Sequence, residues 1–307
     1  MIKTKIYIPD IECDSCTKLL RRKFKDMEGI EDFTVDDDGV EFTHEHHVKI
    51  EDMIETIKEL GFRASLRPFE RKNLKERLRD FKEHKPKYAM MIRAFNYTLL
   101  LMAILLIIEA IAYFGFWKFI PSFLPKYGLW MLYLDISVAT IGASLWYMYL
   151  YKTNVTCMTG MMIGMTVGMQ IGMMVGIIFG AVNGFFIGSM VGMILGTIAG
   201  AIAGSNCGIM GILQGMMAGI MGGTMGPMIG LMMFTDHIKI FMPFFMLFNI
   251  LILAGFVYMY YEEVVENRKD VVKRDIDFVT LASIGVIATA ILLVIMLYGP
   301  KSLLFGA

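Results

Sequence analysis

Four cysteines and a concentration of methionines are the residues here whose chemistry is most distinctive. Cys13 and Cys16 form a C-x-x-C pair, while Cys157 and Cys207 stand far along the chain. Thiolates are soft ligands that select soft cations, and cysteines at a helix N-terminus have lowered pKa values. Seventeen of the 29 methionines fall between Cys157 and Met233. Below Cys157 come Met158, Met161, Met162, Met165, Met169 and Met173, spaced by three or four, so that most share one broad helical face. A second stripe runs through Met210, Gln214, Met217, Met221, Met225, Met228 and Met232. Thioethers are neutral, individually weak donors for Cu(I) or Ag(I) and poor ones for Zn(II), and a ladder of weak sites permits both entry and exit. The alternative is that methionine only fills irregular apolar gaps. Glu109 and Asp135 lie within apolar runs, where an ionisable group is a candidate cation or proton relay; for Asp135, snorkelling to the interface or a structural hydrogen bond is the competing role.

The elements that position these groups are spelled out by glycine. Gly recurs at every fourth residue from Gly160 to Gly208, then slips by one and resumes at Gly211, Gly215, Gly219 and Gly223. No charge interrupts Cys157 to Met233. In water each interior glycine costs a helix about 1 kcal/mol relative to alanine. In a bilayer the backbone has no other hydrogen-bond partner, so the helix persists, and glycines at i, i+4 let helices approach closely. Seven apolar segments are expected to span a membrane, at about 94–116, 128–150, 156–181, 185–204, 208–233, 239–261 and 278–298. Asn183-Gly184 and Ser205-Asn206 mark the tight turns within the uncharged stretch. Gln170 and Gln214, mid-span, are expected to bond across helices.

Charge then orients the chain. Residues 69–93 carry nine Lys or Arg, with Leu74, Leu78 and Phe81 on one side, as in an interfacial helix at a cytosolic leaflet. Counting Lys152, Arg268, Lys269, Lys273 and Arg274 on the same side leaves only Lys118, Lys126, Lys239 and Lys301 opposite. The positive-inside rule therefore predicts a multi-pass protein of the cell inner or plasma membrane, with a cytosolic N-terminus and an outer C-terminus. All four cysteines would face the cytosol. Asp236 and His237 would cap the outer end of the fifth span, as a loop or as an outer metal-collecting pair. The opening MIKTKIYIPD has no apolar core of the signal-peptide kind.

The first 68 residues read as a separate α+β domain. Residues 3–8 alternate like a strand, and a helix opens at the cysteines with Leu19, Leu20, Phe24 and Met27 on its apolar face. A hairpin crosses Asp37-Asp38-Gly39, and a second helix turns Met53, Ile54, Ile57 and Leu60 inward before Gly61. RASLR closes as a fourth strand, giving the order βαββαβ of a ferredoxin-like module. His44, His46 and His47 are expected on a solvated loop leading into that second helix. With Ile11-Glu12-Cys13-Asp14-Ser15-Cys16 after the first strand and Gly61-Phe62 before the last, residues 1–68 resemble the heavy-metal-associated domain of copper chaperones and metal-pumping ATPases. Where family members carry Gly-Met-Thr or Gly-Met-His, this chain has Pro9-Asp10-Ile11-Glu12. The resemblance implies that Cys13 and Cys16 hold Cu(I) on an exposed loop and pass it on by ligand exchange to a copper chaperone or apo-acceptor protein. Met-x-x-x-Met combined with Gly-x-x-x-Gly is also similar to the pore helices of eukaryotic copper uptake proteins.

The expected organisation is thus a 1–68 metal-binding domain, a 69–93 basic linker helix and a 94–307 membrane domain. Cu(I) is the expected metal, with Ag(I) or Hg(II) as alternatives. The glycine beat has no strand–turn–helix setting, and neither a phosphate-binding loop nor an Asp-Lys-Thr-Gly motif occurs, so no nucleotide is expected. No Ser/His/Asp or Cys/His catalytic arrangement is visible, so the chain is not expected to be an enzyme. Formal net charge is zero, which gives no general attraction to nucleic acid. A soft-metal transporter is the leading reading, with a non-transporting membrane-anchored chaperone, sensor or buffer and a structural glycine-zipper homo-oligomer as rivals.

Overall fold

The computed structural model describes residues 2–8, 11, 14–25, 30–36, 39–44, 50–60, 62, 64–66, 89–115, 117–119, 123–151, 155, 157–205, 208–265 and 277–301. The chain divides into two compact units, the first built mainly from the N-terminal residues and the second from the long helices.

In the first unit, β1 (Ile2–Tyr7), β2 (Ile30–Asp36) and β3 (Gly39–His44) form an antiparallel sheet in the order β1-β3-β2. Two short helices, α1 (Asp14–Lys25) and α2 (Ile50–Glu59), supply its second layer. Alternation along the strands turns Ile6, Val40 and Phe42 inward, and the helical spacing of Leu20 with Phe24 and of Met53 with Ile57 answers them. Phe24 meets Phe42 edge-on at 4.8 Å between ring centroids. The helix α2 begins with Glu51 and Asp52 and ends near Lys58, charges that complement its dipole.

One expectation is met in part here and another changes. Among the described residues the fourth strand is one bridge, in which the Tyr7 amide donates to the Ser65 carbonyl at 2.8 Å and the Ser65 amide returns at 3.1 Å. Its neighbours Arg63 and Arg67 lie outside the described residues, and a complete ferredoxin-like sheet is not formed by the described ones. His44 is not on a solvated loop. It is the last residue of β3 and is buried, with Nε2 3.0 Å from the Thr4 hydroxyl. Pairing with β1 at Ile2 holds it on the sheet. His46, His47, the Asp37-Asp38 turn and the basic stretch up to Tyr88 lie outside the described residues.

The second unit contains α3 (Ala89–Gly115), α4 (Phe123–Leu150), α5 (Cys157–Asn183), α6 (Phe185–Gly204), α7 (Ile209–Phe234), α8 (Ile238–Tyr260) and α9 (Phe278–Tyr298). A π-helical turn, Tyr261–Val265, extends α8. Seven helices among the described residues are long and apolar enough to cross a bilayer, and the chain is a polytopic membrane protein. α3 starts at Ala89 and α4 at Phe123, each about five residues before its expected span; Arg93 therefore belongs to the first helix. The others begin and end within two residues or so of expectation.

Glycine determines how α5, α6 and α7 meet. α5 and α7 run in the same direction and α6 runs back against both, and their glycines face one another backbone to backbone. A Cβ at Gly168 would lie 2.5 Å from the Gly215 carbonyl oxygen, and one at Gly219 only 2.3 Å from the Gly196 carbonyl carbon. At the two turns, Gly184 (φ 90°) and Gly208 (φ 86°) adopt a backbone conformation open only to glycine, which lets each helix reverse within a residue or a few.

The other helices pack through side chains. Tyr97 of α3 touches Trp146 of α4 and Phe278 of α9, each at 4.9 Å between centroids. Leu101, one turn on, fills the space left by Gly142 of α4 and Gly285 of α9. Tyr260 of α8 donates to the Met148 carbonyl at 3.1 Å, closing the last turn of α4. At the opposite end, the Asn183 amide donates to the carbonyls of Met296 (3.3 Å) and Pro300 (3.1 Å), tying α5 to the end of α9. Lys301 stacks over the Tyr127 ring there at 5.1 Å, and its ammonium is held below the usual lysine pKa by burial and then by the charge of Lys126.

Candidate functional site

The methionine stripes occupy one outward face. Because α5 devotes Gly164, Gly168 and Gly172 to its contacts with α6 and α7, each following methionine (Met165, Met169, Met173) is rotated about 100° onto the flank. On α5, Met158, Met162 and Met165 are exposed, while Met161, Met169 and Met173 are half-buried. On α7, Met210, Met217, Met221 and Met225 are exposed, with Met217 at 60%. The two stripes adjoin. Gln214 of α7 donates to the Met165 thioether across the groove at 3.3 Å, and the backbones at Met169 and Met173 lie directly against Gly222 and Gly226. Gln214 thus makes the expected cross-helix bond. Gln170 does not: it is buried in α5, and its Oε1 has no hydrogen-bond partner among the described residues.

Sequence reasoning placed these methionines correctly on shared faces, but left open whether they lined the interior of one chain. They look out of the helical unit. That outer surface differs from its neighbours, since α3, α8 and α9 expose Leu, Ile, Phe and Val at corresponding places, such as Leu99, Phe248 and Ile287.

Near the first turn of α5, a contact absent from the sequence reading appears. Thr159, two residues after Cys157, donates to a Glu263 carboxylate oxygen at 2.8 Å. Glu263 lies in the π-helical turn at the end of α8, so the turn brings a carboxylate to the helix end that bears the thiol. π-turns are frequent at functional positions, and this one was the available signal only in three dimensions. Cys157 is partly exposed and makes no disulfide. Cys13, Cys207 and the Cys16 side chain lie outside the described residues, although Cys16 belongs to the first turn of α1. Among the described residues, no three His, Cys, Asp or Glu side chains converge as a metal cluster.

Glu109 of α3 and Asp135 of α4 come together. Leu101 of α3 packs against Gly142 of α4, and two turns on in each helix the same register brings Glu109 beside Asp135. Asp135 is 0% exposed, so its carboxyl is enclosed by protein and does not reach out of the helical unit. Neither of its oxygens, nor Glu109 Oε1, has a partner at hydrogen-bond distance among the described residues. Asp236 and His237, by contrast, pair with each other in an exposed turn between α7 and α8.

Comparison with family models, with curated proteins and with solved structures finds no match for this chain.

Proposed function

We propose that this polytopic membrane protein handles a soft monovalent metal, Cu(I) or its analogue Ag(I), along the methionine face of α5 and α7. The Met165–Gln214 contact carries the reading, because it joins two thioether stripes into one continuous strip. In this reading residues 1–68 form a complete heavy-metal-associated, ferredoxin-like domain whose Cys13 and Cys16 exchange the ion with Cys157 and Cys207. Its support is the three-stranded sheet, the position of Cys16 in the first turn of α1 and the bridge at Ser65. The N-terminus is cytosolic, as the basic residues of the short loops favour. Because the stripes look outward, the path lies between copies of the chain, each contributing thioethers to a shared seam. The membrane potential favours inward cation movement by about 2.3 kcal/mol per 100 mV. The protein catalyses no reaction and uses no nucleotide.

The test is Ag(I) or Cu(I) flux into liposomes holding the purified protein, with Met165, Met169, Met217 and Met221 changed together to Leu as the comparison. Flux in the wild type and its loss in a folded variant support the path. A second reading is favoured by the same outward exposure: thioethers facing lipid serve only packing, and the membrane unit anchors a chaperone or sensor. Metal bound through cysteines with no flux in either protein selects that reading.

A further inference from the structure

The Glu109–Asp135 pair answers a need that the methionine face does not. Two neighbouring carboxylates cannot both be ionised in a hydrocarbon setting without a cation, because mutual repulsion and lost hydration both oppose it. Hydrogen-bond donors would soften this, yet both Asp135 oxygens and Glu109 Oε1 lack a partner among the described residues.

Among the described residues of these helices, the flanking positions of known contact are uncharged. Tyr97 sets Trp146 and Phe278 side by side, and Leu101 sits between Gly142 and Gly285. Two turns further along the same register, α3 reaches Glu109 and α4 reaches Asp135. On α9, Thr289 lies one turn beyond Gly285 on the same buried face, and its hydroxyl is likewise buried without a partner. The nearest titratable groups along the two helices are Tyr113 and Tyr133. α5 offers only Cys157 and α9 only Tyr298, both at helix ends, while Lys239, Tyr258 and Tyr260 are the titratable positions of α8. Lys126 stands nine residues from Asp135, about 13 Å along α4. No basic side chain is thus placed to neutralise the pair from these helices.

We propose that Glu109 and Asp135 form a proton-exchange site that rests with both carboxyls protonated and gives up one proton when a monovalent cation enters. The exchange balances: the cation replaces one proton, the second proton stays on one carboxyl of the pair, and the site remains neutral throughout. This rests on the chain's crossing a membrane, and not on the soft-metal reading of the methionines.

The experiment uses the full chain in lipid nanodiscs. Infrared spectra at neutral pH record the C=O stretch of protonated carboxyls, and a pH indicator records protons released on adding Na+ or Ag+. Wild type is compared with Glu109→Gln, Asp135→Asn, the double variant and Asp135→Glu. The expected result is a protonated-carboxyl band in the wild type that roughly halves when cation is added, with one proton released per cation bound. The double variant loses both signals, and Asp135→Glu restores them. Release with Na+ assigns an oxygen-seeking cation, and release with Ag+ alone assigns the soft cargo; either supports the site. A wild type without the band, or a double variant that still releases protons, overturns it. A Met165→Leu/Met217→Leu variant keeps the band and the Na+-driven release even where metal flux is absent, which separates this site from the methionine path.

Discussion

Helices α5 to α7 and the helices around them solve the same packing problem in opposite ways. In the glycine trio the backbones touch, as where a Cβ at Gly215 would lie 2.1 Å from the Gly200 carbonyl oxygen. In α3, α4 and α9 the helices stand further apart and side chains such as Leu101, Tyr97 and Trp146 fill the gap. The difference decides where chemistry is placed. A helix whose inner face is glycine must carry its large residues on the flank, and here those are thioethers. Helices joined by side chains have room between them, and there the chain keeps its carboxyl pair and the hydroxyl of Thr289. Close packing exports functional groups, whereas looser packing encloses them.

The comparison breaks first at a glycine. Gly219→Leu forces a side chain into the Gly196–Thr197 backbone, and a cost above about 3 kcal/mol is expected, with no folded protein recovered by size-exclusion chromatography in detergent. Gly255→Ala is its control, since nothing lies within 4 Å of that position, and unchanged yield is expected. On the other side of the comparison, Leu101→Ala opens a cavity between α3, α4 and α9. It is expected to cost about 2–5 kcal/mol by thermal unfolding while leaving the glycine trio protected from hydrogen exchange.

The spans were legible because apolar runs and glycine spacing are local signals, and Gly184 and Gly208 sit where the turns had to be. Even the outward methionines were latent in the sequence, since Met165, Met169 and Met173 each follow a glycine of the packing face by one residue. What could not be read is register between helices. Glu109 meets Asp135 only because Tyr97 and Leu101 fix α3 against α4, and no local pattern states that pairing. Glu263 reaches Thr159 through a π-turn that hydropathy does not mark. His44 was expected on a loop for the same reason, because no local pattern shows that it pairs with Ile2 of β1 and is buried there.

Smaller effects sharpen the contrast. Asn183→Ala removes the bonds from α5 to the carbonyls of Met296 and Pro300, the tie between the trio and α9, at an expected cost of about 1–3 kcal/mol in thermal unfolding. Thr159→Val removes one bond to Glu263 and should cost about 1 kcal/mol by the same assay. Met217→Leu with Met221→Leu, on exposed positions, should change stability least, by about 0.5 kcal/mol or less, because volume and polarity are nearly kept.

The most direct measurement is X-ray absorption on Cu(I) bound to a full-length variant with Cys13, Cys16, Cys157 and Cys207 all changed to Ser. The account predicts retained copper in a sulfur-only, thioether environment that disappears when Met165, Met169, Met217 and Met221 are also changed to Leu. Copper absent from the cysteine-free protein, or bound without sulfur, would contradict a metal role for the methionine face.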